Sequence, residues 1–139
     1  MPSYVDSYLH GNKIGVVVMF ICQDEFAFRT GEFKTLSRHI GMQIAASCPK
    51  AIDYQLLDTN FIENKLSFTR KRIADLSPDE RRTEIDKATR NLKEEYCLLN
   101  QPLITNPKIT VAEEINRISQ ELDVEISIAE FKRIETSSD

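Results

Sequence analysis

The sequence predicts an α+β fold, and three observations carry that reading. A β-branched run follows a glycine turn near the N-terminus, four later stretches carry helical spacing or helix-start residues, and an alternating stretch lies near the end. Residues 5–10 lead into His10-Gly11-Asn12-Lys13, where glycine and asparagine supply positive φ. IGVVVMFI at 14–21 is continuously apolar, as a buried central strand is, so the two segments form a hairpin.

Phe33, Leu36, Ile40 and Ile44 recur at helical spacing, which predicts an amphipathic helix over 32–48 stopped by Pro49. Its small residues Gly41, Ala45 and Ala46 allow close packing on a sheet. A linker is expected over 50–59. Asn60, followed by Glu63, reads as a cap opening a helix to about Leu76 through Ile62, Leu66 and Ile73. Ser77-Pro78-Asp79-Glu80 is a stronger start: cap, proline in the first turn, and acids against the dipole. The helix it opens runs to about Tyr96, with Ile85, Ala88, Leu92 and Cys97 inward. The pair makes an αα-hairpin with charge-dense outer faces.

Gln101-Pro102 and Asn106-Pro107 predict a loop. Thr110 and Glu113 form a capping box for a helix through Ile115, Ile118 and Leu122. Val124, Ile126, Ile128 and, after Ala129, Phe131 alternate with polar residues, which predicts a strand over 125–135 with one exposed face. The tail 136–139 is expected to fray.

The 139 residues suit a single domain, and 18 basic against 22 acidic residues leave a net charge of −4. That balance argues against nucleic-acid binding by bulk electrostatics. Cys22, Cys48 and Cys97 form no readable disulfide framework, so a reducing cytoplasm is the simplest setting. No signal peptide is recognisable, and the nine-residue apolar run at 14–22 is too short to span a bilayer.

The four glycines form no phosphate-binding loop, and His10 and His39 have no metal-ligand spacing. No cysteine–histidine pair is singled out as a nucleophile, so no metal, cofactor or covalent chemistry is expected. One segment is odd. In Cys22-Gln23-Asp24-Glu25-Phe26-Ala27-Phe28-Arg29, two acids adjoin two phenylalanines in a strand-to-helix connection. Either a phenylalanine staples the next helix to the sheet, or an aromatic knob stands ready for an interface.

The same residues resemble bacterial elongation factor Ts. SYLHGNKIGVVV at 7–18 is similar to the start of a core repeat in that family, and CQDEFA at 22–27 to its signature CQTDFVA. RHIGMQIAA at 38–46, followed by Pro49, resembles the family's HIAMHIAA helix; LLNQPLI at 98–104 and Thr110-Val111 match two further segments in register. The resemblance implies a three-stranded antiparallel sheet packed by helices, with a helical hairpin inserted at about 60–96 in a single core-like domain of residues 1–139. It implies guanine-nucleotide exchange on elongation factor Tu, without covalent chemistry. Glu25 would stand for the family's aspartate and Phe26 for its wedge between two helices of the GTPase; His10, Arg38 and His39 would touch another of its domains. Phe26 is therefore expected to be exposed.

Two departures from the pattern matter. Threonine-aspartate has become Asp24-Glu25. Family members also carry an N-terminal helical domain, which nothing before Pro2 supplies, so exchange by this chain alone is expected to be weak. The alternative function is a scaffold that binds Tu without stimulating exchange. With one core repeat and an apolar sheet face needing cover, a homodimer is expected, with no direct nucleic-acid or membrane contact.

Overall fold

The structure is a computed structural model describing residues 1–137, so residues 138 and 139 of the tail expected to fray lie outside the described part. Thr136, within that tail, donates its N–H to the Lys13 carbonyl at 2.9 Å and is tied down. The chain forms two compact units: residues 1–48 with the chain from 102 onward, and Pro49–Gln101.

The first unit is built on a three-stranded antiparallel sheet in the order β1 (Ser3–His10), β2 (Ile14–Cys22), β5 (Ile126–Glu135). The apolar run reads as the central strand because it is one. Val16, Val18, Phe20 and Cys22 are buried on one face, while Val17 on the other is 45% exposed. The break in alternation at Ala129 is a β-bulge: Met19 pairs with Glu130 and Phe20 with Ile128, so Ala129 is the extra residue. Without it, Ile126 and Ile128 would point away from the core that Val18 and Phe131 define.

Two helices pack in this unit, α1 (Gly31–Ser47) and α4 (Val111–Leu122). Thr30 caps α1 by accepting from the Phe33 N–H at 3.1 Å, and the helix ends at Cys48 in the left-handed region, immediately before Pro49. Phe33, Leu36, Ile40 and Ile44 are buried, as their spacing predicts. Arg133 donates twice to the Ala45 carbonyl, at 3.2 and 2.9 Å, satisfying a last-turn acceptor of α1. The capping box at Thr110 and Glu113 is complete.

One expectation fails here. The proline-rich stretch is a small hairpin, β3 (Pro102–Leu103) with β4 (Asn106–Thr110), and not a loop. Each strand of a two-stranded ribbon is an edge, where a missing proline N–H is tolerated. Gln43, buried in α1, holds the ribbon: its Nε2 donates to the Pro102 carbonyl at 3.1 Å and its Oε1 accepts from the Ile104 N–H at 2.9 Å.

The second unit holds α2 (Thr59–Arg72) and α3 (Pro78–Tyr96). Helix α3 starts at the Ser77 cap as expected. Helix α2 does not start at Asn60: Asp58 is the cap, its carboxylate accepting from the Asn60 N–H at 3.3 Å. It also ends four residues short of Leu76, because residues 73–76 turn the chain before Ser77-Pro78 restarts it. Ala51, Leu57 and Cys97 form a small core with Tyr54, Phe61, Ile62 and Tyr96, and Ala51 bridges Cys97 in parallel. Leu66, Ile73 and Leu92 are buried too, whereas Ile85 and Ala88 are only half-buried.

Thiol chemistry offers a direct check on both units. Cys48 is exposed, Cys22 and Cys97 are buried, and all three are free. Burial, then the Asp53 carboxylate, push the Cys97 thiol pKa up, against a smaller opposing pull from Lys93. An aromatic disulfide reagent should therefore label one thiol quickly in the native protein. Cys48→Ser should abolish that fast phase, and Cys97 should respond only on unfolding.

Candidate functional site

The connection between β2 and α1 is a single 3₁₀ turn, Glu25–Arg29. Asp24 caps it, its carboxylate accepting from the Phe26 N–H at 3.1 Å. The Ala27 carbonyl accepts from both the Thr30 N–H, at 3.2 Å, and the Thr30 hydroxyl, at 2.8 Å. Just before the turn, Gln23 Oε1 accepts from the Glu125 N–H at 2.7 Å. The turn is thus held at both ends before any partner arrives.

Within it the two phenylalanines divide the roles the sequence left open. Phe28 is buried, stacked on Tyr4 with centroids 5.3 Å apart and edge-on to Phe33 at 5.0 Å; Phe33 in turn meets Phe20 at 5.0 Å. That aromatic cluster is the staple. Phe26, two residues earlier, is 42% exposed. Glu25 beside it is exposed as well. The expected exposure of Phe26 is met.

The other three residues singled out from the sequence stand on two elements. His10 ends β1 and is exposed; the Tyr8 hydroxyl lies 3.3 Å from its Nδ1. Arg38 and His39 are in α1, the arginine exposed and the histidine half-buried. His39 lines a groove of about 340 Å³ with Glu32 and Thr35 of α1 and with Glu114, Arg117 and Glu121 of α4. Arg117 bonds Glu114 at 2.6 Å and Glu121 at 2.8 Å. The Glu114 hydrogen bond and charge, followed by those of Glu121, push the Arg117 pKa above its usual value.

Sequence reasoning carried His10 over from the family's tyrosine-x-histidine-glycine motif without carrying Tyr8, and it did not reach the α4 carboxylates. Tyr8 had a usable signal, being two residues from His10 on the same face of a strand. The residues Glu114 and Arg117 had none, since only the packing of α4 beside α1 brings them to His39. Among the described residues, no group of three or more histidines, cysteines or acids could hold a metal ion, and no helix is long and apolar enough to cross a membrane.

Against known proteins, the family model described as Elongation factor TS matches residues 2–138. Elongation factor Ts of Desulfosudis oleivorans is 30% identical over 132 residues, which cover 93% of this chain and 67% of that protein. The Oleidesulfovibrio alaskensis protein of the same name is 34% identical over 134 residues, covering 94% and 68%. That of Lawsonia intracellularis is 33% identical over 134 residues, covering 94% of this chain but 46% of its own length. The chain thus spans roughly half to two thirds of the length of these relatives.

Proposed function

The chain belongs to the elongation factor Ts family, and from that premise we propose that it binds elongation factor Tu and promotes GDP release, without forming or breaking a covalent bond. The observation that carries this reading is the exposed Phe26 on a turn whose other anchors are buried or hydrogen-bonded. A wedge works only if its base does not yield, and the Phe28–Phe33–Tyr4 cluster supplies that base. Glu25 and Phe26 are assigned to the GTPase domain, and His10, Arg38 and His39 to a second domain of Tu. Such a factor acts by coupling: whatever weakens GDP on Tu must itself be bound less tightly by Tu·GDP. The work would belong to the cytoplasm, alongside translation.

The deciding measurement is release of labelled GDP from Tu with and without the protein, beside a plain binding assay. Binding with accelerated release is the expected result. Binding without acceleration would make the chain a scaffold, and absence of binding would remove the assignment.

We further propose that the protein pairs with a second copy. The sheet face away from α1 carries exposed Val5, Leu9, Val17 and Ile134 around Ser7, Lys132 and Glu130, a surface whose apolar part a two-fold related sheet would cover.

A further inference from the structure

Strand β1 and helix α1 meet through small groups on the helix. The Ser37 hydroxyl donates to the Asp6 carboxylate at 2.6 Å. Two residues along the strand and four along the helix, Tyr8 lies against Gly41. A Cβ placed on Gly41 would stand 2.6 Å from the Tyr8 Cβ and 3.2 Å from its Cγ. Two strand residues advance about 6.7 Å and four helical residues about 6 Å, so the two elements stay in step. The same stride reaches His10 and Ala45, which line an apolar pocket of about 200 Å³ with Tyr8, Met42 and Ala46.

This packing puts the Tyr8 hydroxyl 3.3 Å from Nδ1 of His10, the two rings 27° from parallel with centroids 6.4 Å apart. Tyr8 is half-buried, and its backbone is fixed in the ladder opposite Val16. His10 is exposed at the end of the same strand. We propose that Tyr8 is a positioning residue for His10. Its hydroxyl donates to Nδ1 of the neutral imidazole, which places the ring proton on Nε2 and leaves that N–H to donate to the docked GTPase. Gly41 makes the seat, because any side chain there displaces Tyr8 from the helix. An exposed histidine held this way has already lost rotamer freedom that it would otherwise lose on binding.

The inference rests on the reading of His10 as a contact to Tu, and the test separates the two. In the free protein, nitrogen NMR of the imidazole at alkaline pH should show the proton on Nε2, and Tyr8→Phe should shift the Nδ1 resonance. With Tu, Tyr8→Phe should weaken binding about 3- to 10-fold, the range one hydrogen bond spans. It keeps the ring on Gly41, so the fold is not at risk. In a His10→Ala background the same change should cost nothing further, since a residue acting through another is silent once that other is gone. Additive losses would mean that Tyr8 touches Tu itself and would overturn the proposal, as would an Nδ1 resonance indifferent to Tyr8→Phe. If His10→Ala leaves Tu binding intact, the interface reading falls and takes the positioning role with it. If His10→Ala weakens binding and Tyr8→Phe does not, the positioning role alone falls.

Discussion

Phe28→Ala is expected to cost about 3–5 kcal/mol of stability, whereas Phe26→Ala should leave the melting temperature nearly unchanged and remove stimulated GDP release. The two residues share a turn and a side-chain type, so the contrast isolates environment. Phe28 is buried against Tyr4 and Phe33, and its loss opens a cavity beneath the start of α1. Phe26 is 42% exposed and its N–H bond to Asp24 is a backbone contact that alanine keeps. Truncating it therefore removes little transferred area in the free protein. On a Tu surface the same ring would be fully buried, where a central aromatic is worth about 2 kcal/mol or more, a factor of roughly 30. Thermal melts of both variants and stopped-flow GDP release from Tu give the answer. A large drop in melting temperature for Phe26→Ala would make it a core residue and end its assignment as the wedge.

The division between these phenylalanines also shows where sequence reading stops. That one ring would staple and the other protrude was open from residue types alone, because a 3₁₀ turn and an α-helical turn aim successive side chains differently. Elements whose determinants are local were legible: Ser77-Pro78 starts α3, Pro49 follows the end of α1, and the alternation break at Ala129 marks the bulge. Asp58 and not Asn60 is the cap, because its carboxylate takes the Asn60 N–H and so places Asn60 inside the first turn of α2. Strands β3 and β4 form despite their prolines because Gln43, some sixty residues away, bonds both the Pro102 carbonyl and the Ile104 N–H. At the site the pattern repeats: Glu25 and Phe26 are neighbours in sequence and were found together. Glu114 and Glu121, which line the groove with His39, come from α4 and were not.

Val17→Lys is expected to convert a dimer into a monomer with little loss of monomer stability. Val17 sits mid-sheet on the central strand, on the face opposite Val16, Val18 and Phe20, and is 45% exposed. Across the strands, Leu9 and Ile134 flank Gly15, each 73% exposed, and Leu9 comes within 3.4 Å of where a Gly15 Cβ would stand. Val5 and Met19 pair further along the same face. In a lone chain this stripe gains nothing from its apolarity, so an exposed lysine there costs only about 1 kcal/mol through strand propensity and the like charge of Lys132, its cross-strand neighbour on β5. In a face-to-face pair, two-fold symmetry would bring two such lysines into the buried centre beside both copies of Lys132, whose only acid on that face among the described residues, Glu130, already pairs with it at 3.7 Å. The face is modest: three strands of nine or so residues present roughly 400 Å² in plan, against about 800 Å² per partner in a standard interface. A face this small fits a weak, concentration-dependent pair, so the mass should fall on dilution. Light scattering and sedimentation across a dilution series should give twice the 16.0 kDa chain mass at the top for the native protein. Val17→Lys should stay at the single-chain mass throughout, with a melting temperature close to that of the diluted native protein. A native chain that remains at 16.0 kDa at the highest concentration would leave this face to a different occupant. A Val17→Lys variant that still dimerises would move the contact to the edges of β1 or β5, where unpaired backbone groups could extend the sheet.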